Sequence, residues 1–376
     1  MTVRFIHSSD LHLGRRFANI AEPPDGNLRG RLMEARFDKI RALAEAARAH
    51  GADHVLLAGD TFDSATPSPQ VLRQALAAMR DAGAVHWWLL PGNHDNLRNA
   101  EPVWDEIARD APANVHALRS ADAVELAPSV ALLPCPVPVR SSGRDLTEGL
   151  PRITTPEGTL RIGLAHGGVV DFTDSGEQIP PDRDRSAGLD YLALGDWHGR
   201  MQVSARIQYP GTPEQDRFKH GMRGQCLAVT LAGQGATPEV TGIDTGAFLW
   251  SDIALPLHDG EDTETALEAI LPATDRRNTL VRIKAGGWAS LAGHAGLRAA
   301  ADRHAPEFAF LDLVTDDLGT LHDVSDLDAI DHAGAMRLAA ERLMAEAGDG
   351  TLAEAERDIA AAALNRLYAY ATGAGR

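Results

Sequence analysis

Residues 54–63 of the chain read HVLLAGDTFD, a short apolar run that ends in a glycine and is followed by two carboxylates. Residues 3–14 (VRFIHSSDLHLG) and residues 85–95 (VHWWLLPGNHD) repeat this arrangement of an apolar run with a polar end. Runs of this length and composition predict buried strands. Patterns with a helical period lie between them, over residues 30–50 and from Ser68 onward. The alternation of strands and helices predicts an α/β fold.

Strand-like runs become dense after residue 120, and the composition changes near residues 244–250. The runs at residues 206–209, 226–231 and 239–243 predict a meander. The C-terminal third of the chain is typical of a separate small module that ends in two alanine-rich helices, over residues 333–347 and 352–371. We therefore expect a layered domain of β-sheets flanked by helices over residues 1–245, and a smaller C-terminal α+β cap module over residues 250–376.

Several aromatic side chains fall within the predicted strands. Neighbouring residues of a strand point to opposite faces, so Trp87 and Trp88 are predicted to pack on the two sides of a covered sheet. For His7, His54 and His86 we expect structural roles, with hydrogen bonds to neighbouring strands.

Composition narrows the class of protein. The 376 residues include 36 basic and 53 acidic side chains, and the resulting net charge of −17 argues against binding nucleic acid by bulk charge alone. A local basic groove remains compatible with this balance. Cys135 and Cys226 lack paired spacing, which excludes a disulfide scaffold and a thiolate zinc site. Apolar runs are too short to cross a membrane and the N-terminus is polar, so we expect a cytoplasmic protein with no membrane partner.

Five polar clusters come directly after predicted strands, and each contains residues that can bind a hard or borderline metal ion. Each cluster alone also fits an ordinary turn or cap. Five of them in sequence, at the ends of strands that share a sheet edge, predict one metal site in which a carboxylate bridges two cations. The clusters are Asp10-Leu11-His12, Gly59-Asp60-Thr61-Phe62-Asp63, Gly92-Asn93-His94-Asp95, Ala165-His166-Gly167 and Gly195-Asp196-Trp197-His198-Gly199.

This ordered set resembles the successive motifs of calcineurin-like metallophosphoesterases, and the resemblance spans about the first 200 residues. Residues 8–14 (SSDLHLG), 59–63 (GDTFD) and 209–214 (YPGTPE) are more narrowly similar to the DNA-repair nuclease branch. That branch includes the nuclease subunit of SbcCD-type complexes and its YhaO-like relatives. The module after Trp250 is placed like the DNA-binding cap of that branch.

The resemblance implies two divalent metal ions, Mn(II) first and Fe or Zn as alternatives. One ion would be held by Asp10, His12, Asp60 and His198. Asp60 would bridge to a second ion, whose other ligands would be Asn93, His166 and Asp196.

The resemblance also implies two catalytic residues. His94 would contact the scissile phosphate and protonate the leaving oxygen, while the metals lower the pKa of a bridging water to give hydroxide. Asp95 would orient His94 or the turn that carries it.

Asp196 departs from the family pattern, which usually has histidine at this position. A carboxylate is still an oxygen ligand, so the site could stay dinuclear with an altered metal preference. Alternatively, Asp196 could point away and leave the second metal weak. We expect the second metal to be retained, because all the other ligands are present.

We therefore expect a metal-dependent DNA nuclease of the exonuclease type that acts in DNA repair. One alternative is a phosphoesterase acting on nucleotides, cyclic nucleotides or phosphoproteins, and another is a binding subunit with a weakened metal site. Arg15, Arg16 and Arg98 are candidate contacts to the DNA backbone or solvated surface residues.

The expected partners are DNA, an SMC-like coiled-coil ATPase subunit and a second copy of the chain as a homodimer. The last predicted helix carries an apolar seam that could close the cap or dock such an ATPase. The seam consists of Leu352, Ala355, Ile359, Ala362, Ala363 and Leu367.

Overall fold

The computed structural model describes residues 2–23, 26–169, 178–321, 330 and 334–372. The chain forms two compact units, Met1–Leu249 and Trp250–Arg376. Within the described residues, no helix combines the length and the apolar composition that a membrane span requires.

The first unit alternates strands and helices in its first half and is rich in strands in its second half, which confirms the predicted α/β fold class. Its elements, in chain order, are β1 (Val3–Ser8), α1 (Leu28–His50), β2 (His54–Leu57), α2 (Pro69–Asp81), β3 (His86–Leu89), α3 (Glu101–Asp110), β4 (Val115–Ala117), β5 (Val124–Ala127), β6 (Val130–Cys135), β7 (Leu160–His166), α4 (Arg183–Ser186), β8 (Tyr191–Gly195), β9 (Met201–Gln202), β10 (Ile207–Tyr209), β11 (Gln225–Leu231) and β12 (Glu239–Asp244).

Local sequence fixes the ends of the helices. The Ser68 hydroxyl accepts a hydrogen bond from the Val71 amide at 3.3 Å, and Pro69 occupies the first turn of α2. Helix α1 ends at His50 and is capped by Gly51, whose φ of 65° lies in the left-handed region that glycine adopts without strain.

Two six-stranded sheets form the first unit. The first sheet has the order β12-β11-β1-β2-β3-β4, in which β1 to β4 run parallel and β11 is antiparallel to β1. The second sheet has the order β5-β6-β7-β8-β10-β9, with β6, β7, β8 and β10 parallel. Parallel strands need crossover connections, which the helices provide in the first sheet.

The predicted meander is wrong. β10 pairs with β8 in the second sheet, whereas β11 and β12 pair with each other beside β1 in the first sheet. Strands that are consecutive along the chain are not always neighbours in a sheet, because a strand can pair with the edge of either sheet.

Each sheet buries both faces, so the unit has stacked layers. Ile6 and Trp87 face the cluster formed with α1, α2 and α3, whereas Phe5 and Trp88 face the second sheet. The prediction that the tryptophan pair packs on both sides is therefore confirmed. His7 also has the predicted structural role: its ring nitrogens lie 3.1 Å from the Tyr191 hydroxyl and 3.1 Å from the Leu194 carbonyl oxygen, which joins the two sheets.

The second unit is a small α+β module, as predicted. Its strands β14 and β15 are parallel and are connected by helix α6, and β13 flanks β14 on the other side. Its elements are β13 (Leu249–Leu257), α5 (Thr263–Ile270), β14 (Thr279–Ser290), α6 (Leu291–His304), β15 (Phe310–Leu321), α7 (Ala335–Gly348) and α8 (Glu354–Thr372). Residue 333, where the sequence predicts the start of a helix, lies outside the described residues.

The last helix buries a different face from the predicted seam. Ala360, Leu364 and Tyr368 are buried against α6 and α7, whereas Ile359 is 71% exposed. The predicted and the observed stripes both have a helical period, and an alanine-rich helix offers several such stripes. Packing of the larger side chains Leu364 and Tyr368 selects the observed one.

The buried face of α8 can be tested with two matched substitutions in this helix. Leu364→Ala should lower the free energy of unfolding of the second unit by about 2–5 kcal/mol, because it opens a cavity in a packed cluster. Ile359→Ala removes a side chain of the same volume from an exposed position and should change stability by roughly 0.5 kcal/mol or less. Urea unfolding followed by circular dichroism measures both, and equal effects would contradict the observed packing.

Candidate metal centre

The carboxyl ends of strands from both sheets bring the five polar clusters together. β1, β2 and β3 deliver the first three clusters, and β7 and β8 deliver the other two. The first two clusters are tied through the backbone, since the amides of Asp10 and His12 donate to the carbonyls of Gly59 and Asp60 at 3.1 and 3.0 Å. Ligand sites in layered α/β folds gather at this edge.

Four candidate ligands have a strained backbone. Asp10, His12, Asp60 and Asp196 have φ angles of 55°, 44°, 52° and 99°, and they are four of the seven non-glycine residues with positive φ in the described part of the chain. Such conformations cost of order 1–3 kcal/mol each and concentrate at functional sites. The fold therefore holds these side chains in directions that they would not adopt in an unconstrained loop.

Gly92 is required for a close approach between two clusters. A Cβ atom at this position would lie 2.2 Å from Oδ1 of Asp60 and 2.4 Å from its backbone nitrogen. The absence of a side chain lets the loop after β3 lie directly against Asp60.

Asp10, His12, Asp60 and His198 form one half of the centre, which we call the first half-site. Nε2 of His12 lies 3.2 Å from Nε2 of His198 and 3.7 Å from Oδ2 of Asp60. Oδ1 of Asp10 lies 3.7 Å from Nε2 of His198 and 3.9 Å from Nε2 of His12. All four residues are buried. The four predicted ligands of one metal are thus brought together.

Asp60, Asn93, His166 and Asp196 form the second half-site. Nε2 of His166 lies 3.6 Å from Oδ2 of Asp60 and 3.7 Å from Oδ1 of Asp196. The Asn93 amide group donates to Oδ1 of Asp196 at 3.1 Å. Oδ2 of Asp60 is therefore within 4 Å of an imidazole in each half-site. Asp196 faces into the site, not away from it.

Hydrogen bonds at Nδ1 turn Nε2 of two histidines toward the carboxylates. Nδ1 of His166 lies 2.8 Å from the carbonyl oxygen of Ala58, which can only accept, so Nδ1 carries the proton. Nδ1 of His198 in the same way faces Oδ1 of Asp216 at 3.0 Å. Nε2 of each ring then faces carboxylate oxygens, and Nε2 of His198 also faces Nε2 of His12.

This arrangement fits divalent cations. Nε2 of His166, Oδ1 of Asp10 and Oδ1 of Asn93 are buried and have no hydrogen-bond partner among the described residues. Buried lone pairs facing one another repel, and a cation between them removes the repulsion. The donor set of imidazoles, carboxylates and one amide suits Mn, Fe or Zn.

The protonation of the site without ions shows the same strain. Burial lowers the pKa of His166, but the carboxylates of Asp60, Asp10 and Asp196 together raise it to about 9. Burial raises the pKa of Asp60 well above its usual range. Burial, together with His198, holds the pKa of His12 well below its usual range.

His94 lies at the edge of the first half-site. Its Nδ1 donates to the Asp63 carbonyl oxygen at 2.8 Å, and its backbone amide donates to Oδ1 of Asp60 at 2.9 Å. The ring meets that of His12 edge to face, with 4.8 Å between centroids. The hydrogen bond at Nδ1 fixes the ring and leaves Nε2 for another group.

Asp95 braces the loop that carries Asn93 and His94. Its buried carboxylate accepts from the amides of Gly92 at 2.7 Å and Phe62 at 3.0 Å, which ties the loop after β3 to the loop after β2. Of the two predicted roles for Asp95, this geometry corresponds to orienting the turn.

Asp216 supports the first half-site from behind and is not among the residues predicted from the sequence. Its carboxylate is fully buried, accepts from His198, and lies 3.2 Å from Nη1 of Arg15 and 3.6 Å from Nη2 of Arg36. Burial opposes its charge, but the hydrogen bond from His198 and the Arg36 guanidinium hold the pKa of Asp216 well below its usual range. Its position two residues after the YPGTPE segment was the available signal.

Arg15 is not a free phosphate contact, since it also lies 3.4 Å from Oδ1 of Asp63. The other two predicted contacts, Arg16 and Arg98, are exposed. Arg15 serves instead in the ion network behind the ligands.

The YPGTPE segment, residues 209–214, holds the first cluster in place. The Thr212 hydroxyl lies 2.8 Å from the Asp10 carbonyl oxygen, to which it donates. The buried Glu214 carboxylate pairs with Lys39 at 2.9 Å and accepts from the amides of Ala247 and Phe248. These contacts were not predicted, because nothing in the period of α1 distinguishes a buried Lys39 from an exposed one.

Asp216 can be tested as the residue that orients His198. Asp216→Asn removes the charge behind the imidazole and should lower Mn²⁺ affinity about 10–100-fold, which is the usual effect of losing a supporting carboxylate. Asp190→Asn is the matched control, because Asp190 is equally buried in the same unit and accepts from the Arg161 amide. Isothermal titration with Mn²⁺ measures both variants, and equal affinities would contradict the role of Asp216.

Comparison with known proteins agrees with the geometry. Residues 3–187 match the family model described as Calcineurin-like phosphoesterase. The uncharacterized metallophosphoesterase YhaO of Bacillus subtilis (strain 168) is 29% identical over 244 residues, which cover 61% of this chain and 58% of that protein. The chain thus spans less than two thirds of the length of this relative.

Solved structures show weaker similarity. TT1561 of Thermus thermophilus has 9% identity and a TM-score of 0.42, with 65% of this chain and 100% of that chain covered. A dimetal phosphatase from Danio rerio has 13% identity and a TM-score of 0.35, with 63% and 98% covered. The chain is therefore similar to calcineurin-like phosphoesterases over residues 3–187 and to the Bacillus metallophosphoesterase over 244 residues.

Proposed function

We propose that the chain is a metal-dependent nuclease that hydrolyses phosphodiester bonds of DNA, acts from DNA ends and serves in DNA repair. The observation that carries the hydrolase part is the convergence of three inward-facing imidazoles with the carboxylates of Asp10 and Asp60. The family match over residues 3–187 supports a metal-dependent phosphoesterase.

In this proposal each half-site holds one divalent ion, and Asp60 is shared. The first ion takes Asp10, His12 and His198, and Mn(II) suits this set of nitrogen and oxygen donors, with Fe or Zn as alternatives. Asn93, His166 and Asp196 complete the second half-site. Bound ions would supply Lewis acidity to the phosphoester and would lower the pKa of water at the site.

His94 is the proposed general acid. Its Nδ1 is fixed by the Asp63 carbonyl, so Nε2 is the nitrogen that can face the substrate. Asp95 keeps the loop in register by holding the amides of Gly92 and Phe62.

Two features support DNA as the substrate over a small phosphoester. The YPGTPE segment clamps the backbone of Asp10, and its sequence is similar to the DNA-repair nuclease branch. The chain also has a second folded unit, which hydrolysis of a small ester does not require. An acidic chain that binds DNA needs local cations beside the site, and Arg217 and Lys219 are exposed there.

The second unit is the proposed binding site for a coiled-coil ATPase subunit. Large exposed apolar side chains of the described residues concentrate in this unit, which supports a protein partner. They are Trp288, Met336, Leu338, Ile359 and Tyr370.

Asp60→Asn tests the shared ligand. The substitution removes the bridging charge, so bound metal should fall from two ions per chain to one or none, and DNA cleavage should fall with it. Asp122→Asn removes a carboxylate from an exposed position and should retain both. Metal content by mass spectrometry and cleavage of end-labelled linear DNA in Mn²⁺ are the two measurements. Full metal content in Asp60→Asn would remove Asp60 from the bridging position.

His94→Ala separates chemistry from metal binding. Loss of a general acid lowers the rate by on the order of 10²–10⁴-fold, and metal content should stay at the wild-type level because His94 is not one of the proposed ligands. Single-turnover cleavage gives the rate. Wild-type cleavage by this variant would exclude the general-acid role.

The substrate class is tested by comparing linear duplex DNA, closed circular DNA, a cyclic nucleotide and a phosphopeptide with the same Mn²⁺-loaded protein. The proposal predicts degradation of the linear duplex with the closed circle intact, since an exonuclease needs an end. Turnover of a small phosphoester without DNA cleavage would assign the alternative substrate class. DNA binding without turnover in any metal would assign the chain to a binding subunit.

A further inference from the structure

Residues 215–220 (QDRFKH) lie against the candidate ligand His198. The Gln215 side chain donates to the His198 carbonyl oxygen at 3.2 Å, and the Asp216 carboxylate accepts from Nδ1 of His198 at 3.0 Å. Gln215 and Asp216 are both buried, whereas Arg217 and Lys219 are exposed. The segment is therefore fixed at one end by the site and carries cations beside it.

Lys219 is positioned by an aromatic ring. Its ammonium lies 4.4 Å from the centroid of the Trp197 ring, and Trp197 stands between Asp196 and His198 in the sequence. The His220 ring contacts Trp197 edge to face, with 5.2 Å between centroids. Trp197 is half-buried and packs against the apolar cluster on the outer face of the second sheet. The indole is thus a rigid support for the ammonium.

The charge of Lys219 is not neutralised. Within the described part of the chain, no carboxylate lies within ion-pair distance of its ammonium, which rests on the indole. Arg217, by contrast, is paired with Asp216 at 2.9 Å, and Arg15 is paired with Asp216 and Asp63. A cation–π contact holds an ammonium in place while leaving its charge and its hydrogen-bond donors available.

We propose that Lys219, supported by Trp197, binds a phosphate of the polynucleotide next to the scissile phosphodiester and so selects polynucleotides over small phosphoesters. A polynucleotide carries a further phosphate beside the scissile one, whereas a small diester carries none. A fixed, unpaired ammonium beside the centre of a chain with net charge −17 is placed to bind that second anion. This inference rests on the proposed nuclease function.

The test compares Lys219→Gln with Arg109→Gln. Arg109 is exposed, is paired with Asp110 and lies in the last turn of α3. It therefore lies near the amino-terminal end of β4, whereas the candidate ligands lie at the carboxyl ends of the strands. Both substitutions remove one positive charge. Binding of a fluorescein-labelled oligonucleotide in EDTA is followed by anisotropy over a series of salt concentrations, and hydrolysis of the oligonucleotide and of bis(p-nitrophenyl) phosphate is followed in Mn²⁺.

The slope of log affinity against log salt is negative, and we expect Lys219→Gln to reduce its magnitude by about 0.7–0.9, the value for one lost phosphate contact. The ratio of kcat/KM for the oligonucleotide to that for the small diester should fall about tenfold, mainly through KM for the oligonucleotide. Lys219→Arg should restore the salt slope, and Arg109→Gln should keep the wild-type values.

Three results would overturn the inference. An unchanged salt slope in Lys219→Gln would show that no phosphate is bound there, and an equal loss on both substrates would show a merely structural role. Hydrolysis of the small diester by a wild-type protein that neither binds nor cleaves DNA would instead reject the nuclease function, and this inference with it.

Discussion

The fold holds a cluster of buried carboxylates and imidazoles together at the centre of the first unit, and the rest of the structure is arranged around this constraint. Two buried carboxylates, Asp10 and Asp60, lie within 4 Å of the Nε2 atoms of buried imidazoles. Such a cluster is unfavourable in a dry interior unless cations occupy it. Strained backbone conformations at Asp10 and Asp60 show that the surrounding fold, not the local preference of the loops, holds the cluster together.

Buried charges behind the ligands stabilise this arrangement. Arg36 is fully buried and donates to the Leu11 carbonyl at 2.6 Å and to the Glu214 carbonyl at 3.1 Å, so one guanidinium joins the first cluster to the YPGTPE segment. Asp216 lies between this arginine and His198. Because a buried guanidinium without partners would be costly, the loops that supply its acceptors cannot move independently. The geometry of the first cluster thereby depends on a contact between Arg36 and Glu214, which are more than 170 positions apart in the chain.

The sequence predicted the fold class and the convergence of the ligands, because polar clusters after apolar runs report strand ends directly. Every predicted ligand lies in one of the two half-sites. The pairing of strands is harder to predict from the sequence. The spacing predicts that β10 belongs to a meander, whereas β10 pairs with β8. The roles of Arg36 and Asp216 could not be predicted either, because the sequence does not distinguish a buried charged residue on a helix or loop from an exposed one. These features depend on tertiary packing, which local periodicity does not encode.

Asp196 adds a negative charge to the set of candidate ligands. With Asp10, Asp60 and Asp196 as carboxylates, the ligand set carries three negative charges, whereas a histidine at position 196 would leave two. Two divalent ions, as proposed, would bring four positive charges, so the extra carboxylate would lower the net charge of a loaded site. A harder oxygen donor also favours ions such as Mn(II) over those that prefer imidazole. The Asn93 amide, which donates to Oδ1 of Asp196, holds this carboxylate facing His166. Asp196 therefore keeps an inward geometry in the second half-site.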